Sequence, residues 1–128
     1  MVSQLIDQLV LKKPVDPSRI YVAGLSMGAM GTYELVSRKP DTFAAAIAIC
    51  GGGNEAAAKT YAKNTPFWIF HGLADDVVPP AHSIAMEKAL RNAGGDPKLT
   101  LYENVNHNSW DRAFAEPDLL KWLFSNSK

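Results

Sequence analysis

The sequence predicts an α/β fold of about four parallel strands with helices on both faces. Three observations carry this. Short β-branched or aromatic runs alternate with stretches of helical periodicity, the connections between them are short, and the runs end on glycine or in polar loops, as buried parallel strands do. The order reads α-β-α-β-α-β-α-β-α without internal repeats or low-complexity segments, so one domain over 1–128 is the economical division.

Each element has a local reason. Leu5, Ile6, Leu9 and Val10 share one face of a short helix over roughly the first eleven residues, stopped by Pro14 and Pro17. Arg19 to Ala23 is a short apolar run ending on Gly24 and reads as a strand buried on both faces. From Met27 to Arg38, Met30, Tyr33 and Val36 recur at helical spacing, and Gly28, Ala29 and Gly31 suit a helix lying close to a sheet. A second strand is expected from about Ala45 to Cys50, before Gly51-Gly52-Gly53, and a short Ala-rich helix over Asn54 to Tyr61. Phe67 to Phe70 forms a third strand leading into His71-Gly72. Ala81 to Asn92 is a helix with a Glu87/Arg91 pair and a Gly94-Gly95 stop. Lys98 to Tyr102 alternates as a fourth strand, and Pro117 to Phe124 reads as a last helix with proline at its first position.

Composition excludes several classes. Thirteen basic residues balance thirteen acidic ones, which leaves no field to draw a polyanion, so no nucleic-acid partner is expected. No apolar run reaches the ~20 residues of a membrane span, and the first residues lack a signal-peptide pattern, so as written the chain is expected to be neither exported nor membrane-bound. A single cysteine, Cys50, rules out an intramolecular disulfide and is too few for a thiolate metal site; histidines and acids lack paired ligand spacing, so no metal and no cofactor is expected.

The reactive residues fall after strands, where sites collect in a parallel sheet. Gly24-Leu25-Ser26-Met27-Gly28 lies between the first strand and its helix and fits the G-x-S-x-G nucleophile elbow. The alternative is a serine that only caps a helix or binds phosphate. A dinucleotide fingerprint aligned on Gly24 would want glycine where Ser26 and Ala29 stand, and a P-loop Gly-Lys-Ser/Thr is absent. A serine hydroxyl needs a base, and the base an acid. In elbow-bearing hydrolases the chain order is serine, acid, histidine, which selects His107. His71 reads instead as a packed or hydrogen-bonded strand-end residue and His82 as a solvated helix-start residue. Asp75 and Asp76 both stand in the loop after the third strand, and spacing alone leaves the acid open between them. Trp68 and Trp122 read as core, whereas Trp110 reads as core or pocket wall.

With Gly24-Leu25-Ser26-Met27-Gly28, His71-Gly72 and His107-Asn108-Ser109-Trp110 in this order, the chain resembles an α/β-hydrolase over almost its whole length. The likeness is to the serine-esterase branch of phospholipase/carboxylesterases, feruloyl-esterase-like and polyhydroxybutyrate-depolymerase-like proteins and "predicted peptidases". The resemblance implies a serine carboxylic-ester hydrolase acting through an acyl-enzyme on small-molecule esters, short-chain or aryl. In that family the acid of H-G-x-x-D-x-x-V-P is the aspartate four residues after the histidine, which falls on Asp75. It also implies Met27 N–H as an oxyanion donor, with Leu25, Trp110 and the Gly51–Gly53 loop near the substrate. Relatives are often exported, and a peptidase activity is an open alternative.

A complete family sheet has roughly twice as many strands, and its serine elbow follows a central one. This chain therefore resembles the C-terminal half of the fold, a truncated α/β-hydrolase lacking the loop that supplies the second oxyanion donor. The first strand should then be an open edge, which predicts a homo-oligomer, a dimer through that edge, or an N-terminal half supplied in trans. The competing reading is a catalytically idle hydrolase fragment serving as a binding or oligomerisation module.

Overall fold

A computed structural model describes residues 16–128. The helix expected over the first eleven residues lies outside them. Four strands, β1 (Tyr21–Leu25), β2 (Ala45–Ile49), β3 (Phe67–Gly72) and β4 (Lys98–Tyr102), form one parallel sheet in the order β1-β2-β3-β4. Between them run α1 (Met27–Arg38), a 3₁₀ turn (Glu55–Ala57) leading into α2 (Ala58–Tyr61), and α3 (Ala81–Asn92); α4 (Trp110–Phe114) and α5 (Leu119–Phe124) follow β4.

Each crossover steps one strand in the same direction, and right-handed crossovers of that kind place their helices on one face. On that face Ala46, Ala48, Phe67 and Ile69 meet Ala29, Tyr33 and Val36 of α1, Tyr61 of α2, and Met86 and Leu90 of α3. The alternate residues Ala45, Ile47, Ile49, Trp68 and Phe70 point the other way and are covered by Ala113 of α4 and Leu119 and Leu123 of α5. Trp68 is core as expected, and Trp122 packs half-buried against it edge-on, with ring centroids 5.5 Å apart. β2 and β3 are buried along their whole length, so a continuous apolar run is what each needs.

The boundaries differ from expectation in several places; β2 stops at Ile49, one residue before Cys50, and β3 runs two residues past Phe70 to Gly72. β1 begins and ends two residues later than Arg19–Ala23, and it is not buried on both faces: Ala23 and Leu25 are exposed because this strand is an edge. The Asn54–Tyr61 segment is split between a 3₁₀ turn and one turn of α-helix. The last helix starts at Leu119 rather than Pro117. The short α4 was not legible, since a helix that buries only Ala113 shows no apolar period.

β1's main chain shows what the edge leaves open. Ile20 C=O accepts from Ala44 N–H, and Ser26 N–H donates to Ile49 C=O, so the even-numbered residues of β1 face β2. The N–H and C=O groups of Tyr21, Ala23 and Leu25 point away from it, where no described strand lies. Among the described residues, no helix is long and apolar enough to cross a membrane.

Candidate active site

Four residues converge at the carboxyl end of the sheet: Ser26 after β1, Cys50 after β2, Asp75 after β3 and His107 after β4. Ser26 has φ 54° and ψ −118°, a sparsely populated conformation that costs on the order of 1–3 kcal/mol for a residue with a Cβ. It is held from both sides. Its N–H donates to Ile49 C=O at 2.8 Å, and its C=O accepts from Ala29 and Met30 at 3.0 and 3.3 Å. The turn is tight because α1 folds straight back over β1: a Cβ at Gly24 would lie 2.1 Å from Gly28 O and 2.6 Å from Thr32 Oγ1. The second glycine differs. A Cβ at Gly28 or Gly31 would meet nothing within 4 Å among the described residues, so the close approach of α1 rests on Gly24 and the buried Ala29.

The Ser26 hydroxyl lies 2.9 Å from His107 Nε2, and His107 Nδ1 lies 2.8 Å from Asp75 Oδ2. Asp75 Oδ1 accepts from Val77 and Val78 N–H, each at 2.9 Å. Burial pushes the Asp75 carboxyl up. The hydrogen bonds from His107, Val78 and Val77, with the His107 charge, outweigh it and leave the carboxyl below its ordinary value. An ionised carboxylate at Nδ1 fixes the tautomer: Nδ1 carries the proton, and Nε2 is free to accept from Ser26.

Two loops make this geometry. A Cβ at Gly72 would lie 2.1 Å from Val105 O, and Leu73 and Ala74 N–H donate to Tyr102 and Val105 C=O, so the loops after β3 and β4 lie against each other. Asn104 turns its loop at φ 59°, a conformation asparagine tolerates. Asn106 Oδ1 then accepts from both His107 and Asp76 N–H, at 2.7 and 3.1 Å. Asp76 thus contributes its backbone while its side chain is exposed, and Asp75 is the acid brought to His107.

His71 is wholly buried: its Nε2 lies 2.8 Å from Val78 C=O and 3.1 Å from Asp75 Oδ2, and its Nδ1 lies 2.6 Å from Ser83 Oγ. It is a hydrogen-bonded strand-end residue, as its position suggested, and it also bears on the acid. His82 is exposed at the start of α3. Trp110 packs edge-on against His107 with ring centroids 5.4 Å apart, and Leu25 is exposed beside Ser26. The N–H of Met27 opens α1, where first-turn amides have no intrahelical acceptor, and the Met27 side chain is exposed.

An open cavity of about 480 Å³ lies between α1, the glycine loop and the loop after β3, lined by Met30, Gly52, Gly53, Val77, Val78 and His82 among others. Neither Leu25 nor Trp110 lines it. The exposed apolar Met30 and Val77 were the available signals; in sequence each reads as an ordinary helix or loop residue. Cys50 was also missed. Its sulfur lies with an Asp75 carboxylate oxygen and a His107 ring nitrogen so that all three atoms are within 4.8 Å of one another, a grouping that sequence spacing could not show.

Comparison with known proteins agrees with the fold. Residues 1–119 match the family model described as phospholipase/carboxylesterase. A bifunctional acetylxylan esterase/xylanase of Neocallimastix patriciarum is 39% identical over 77 residues, 60% of this chain and 11% of that protein. Esterase YpfH of Escherichia coli K12 is 32% identical over 84 residues, 66% of this chain and 36% of that protein. The crystal structure of a thermostable esterase superposes with a TM-score of 0.94 at 36% identity, covering 99% of this chain and 36% of that one. The chain thus spans little more than a third of these relatives at most. It belongs to the phospholipase/carboxylesterase family of α/β-hydrolases.

Proposed function

We propose that this chain carries the catalytic residues of a serine carboxylic-ester hydrolase that works through an acyl-enzyme. The observation that supports this most directly is the unbroken series Ser26 Oγ, His107 and Asp75, at 2.9 and 2.8 Å, starting from a strained serine. Ser26 Oγ attacks the ester carbonyl as its proton passes to His107 Nε2. Asp75 holds the imidazole and stabilises the imidazolium, which then protonates the leaving alkoxide. Water deacylates the serine by the same proton path in reverse. Met27 N–H, at the positive end of α1, takes the developing oxyanion.

Short-chain and aryl esters are the substrates this reading favours. Among the described residues Met27 N–H is the donor assigned; one such donor is worth roughly 10²–10³ in rate, and an activated ester depends on it less than an amide does. Leu25 and Trp110 flank the reacting serine and base, and the cavity between Met30 and Val77 offers apolar wall for one arm of the ester. The open β1 edge is read as a pairing site for a further strand, from a second copy or from the rest of a longer sheet, which would also bring the second donor.

The test is hydrolysis of p-nitrophenyl acetate by the chain and by Ser26→Ala. A rate above background that Ser26→Ala removes supports the enzyme. Equal background rates from both would overturn it in favour of an idle binding module.

A further inference from the structure

Cys50 takes no part in the proposed chemistry, yet it is completely buried against it. It sits after β2 as Ser26 sits after β1, and it too has a positive φ, 48°. Its Sγ, a carboxylate oxygen of Asp75 and a ring nitrogen of His107 lie within 4.8 Å of one another. A second observation points into the same space. Ser109 is completely buried and its hydroxyl has no hydrogen-bond partner, a costly state for a buried polar group. Burial pushes the Cys50 thiol up, and the Ser26 backbone and the nearby Ser109 hydroxyl, which makes no hydrogen bond to it, offset only part of that push.

We propose that Cys50, His107 and Asp75 form a latent site for a thiophilic divalent cation such as Zn²⁺, Co²⁺ or Cd²⁺, with Ser109 Oγ or a water as fourth donor, and that filling it shuts off hydrolysis. The donor set is a thiolate, an imidazole and a carboxylate, which suits borderline-soft cations that accept four ligands. Charge favours a divalent ion. The thiol releases its proton to solvent and the His107 ring proton shifts from Nδ1 to Nε2, so the cation with one thiolate, one carboxylate and a neutral imidazole leaves the buried group neutral. Mg²⁺ and Ca²⁺ prefer six or more oxygen donors and find only one or two here.

The geometry requires a small opening. Tetrahedral bonds of about 2.0–2.1 Å to nitrogen and oxygen put those two atoms about 3.3 Å apart, against the 2.8 Å that separates His107 Nδ1 from Asp75 Oδ2. His107 is the member able to give way, since its loop-borne side chain is 18% exposed while that of Asp75 is wholly enclosed. Once Nδ1 is bound to a cation, the ring no longer donates to Asp75 and cannot act as the base for Ser26. The inhibitory consequence therefore rests on the proposed role of His107; cation binding does not.

The experiment exploits the single cysteine of the chain. Any thiolate-to-Co²⁺ charge-transfer absorption must come from Cys50, so the EDTA-treated, reduced protein is titrated with CoCl₂ and followed optically, with MgCl₂ as control. The band should appear in the wild type and in Ser26→Ala, disappear in Cys50→Ser, and weaken at least about tenfold in apparent affinity in His107→Phe. In parallel, ZnCl₂ should inhibit ester hydrolysis reversibly, with at least about tenfold more required by Cys50→Ser, relative to that variant's own metal-free rate. A wild type without the band overturns the proposal, as does a band indifferent to His107→Phe or zinc inhibition indifferent to Cys50→Ser. If hydrolysis is absent while the band behaves as stated, the site stands and the esterase reading falls.

Discussion

β1 and β3 each deliver one part of the same site, in opposite surroundings. β3 is buried along its whole length, and the loop it feeds is fastened at several points: His71 and the Val77 and Val78 amides all reach the Asp75 carboxylate, and Gly72 lies against Val105. Among the described residues β1 is an edge with exposed Ala23 and Leu25, and the backbone of the elbow it feeds is held by Ile49 on one side and by α1 on the other. On the proposed roles, the acid–base side is fastened throughout by the described residues, while the nucleophile side is fixed in conformation but, among those residues, open in environment. Positioning a strained serine takes only local backbone contacts, whereas enclosing the oxyanion and covering a sheet edge takes neighbours.

The largest expected effect strikes the enclosed side. Asp75→Asn keeps the shape but presents an amide to Nδ1 and so favours the wrong tautomer; ester hydrolysis should fall by roughly 10⁴-fold with the fold retained. A loss under tenfold in stopped assays would show that Asp75 does not orient His107. The same carboxyl gives a pH signature. Its folded value lies below its ordinary one, so its contribution to stability is complete above about pH 4 and is lost as pH falls through the lower folded value. In Asp75→Asn, acid unfolding followed by circular dichroism should lose that part of its slope.

A pair of substitutions then probes the elbow. Gly24→Ala must displace the Gly28 carbonyl and should cost about 1–3 kcal/mol in urea unfolding together with most of the activity, whereas Gly28→Ala meets open space. As Gly28 lies inside α1, alanine there should be neutral or stabilise by up to about 1 kcal/mol. Equal costs would mean that the elbow is not tightened where the geometry places it.

Smaller still is the edge itself. If β1 pairs with another copy, Ala23→Lys should shift light-scattering mass toward the monomer at micromolar concentration. A wild type already monomeric there would refute self-pairing. The smallest effect lies in the core beneath α1, where the buried Tyr33 hydroxyl has no hydrogen-bond partner and its ring stacks on Phe67 at 5.1 Å. Tyr33→Phe keeps the stacking and removes the orphan; thermal unfolding should be unchanged or raised by an amount equivalent to up to about 1 kcal/mol.

The sequence by itself determined the strand-and-helix order from Met27 to Tyr102, because continuous apolar runs and helical periodicity are local properties. It also singled out Ser26 and His107, through a strand-turn-helix motif and chain order, as the proposed nucleophile and base, and their side chains lie 2.9 Å apart. Tertiary structure decided what depends on distance between segments. Neighbouring carboxylates are equivalent by spacing; the resemblance pointed to Asp75, and the packed loops turn Asp75 toward His107 and Asp76 toward solvent. Likewise, the run from Arg19 to Ala23 is apolar enough to read as buried, whereas the resemblance made it an open edge, and the strand order among the described residues agrees with the second reading. Cys50 follows the same rule: residues 25 and 57 positions away come within ligand distance of it because three parallel strands end side by side. Such proximity is a product of the sheet, which no local pattern encodes.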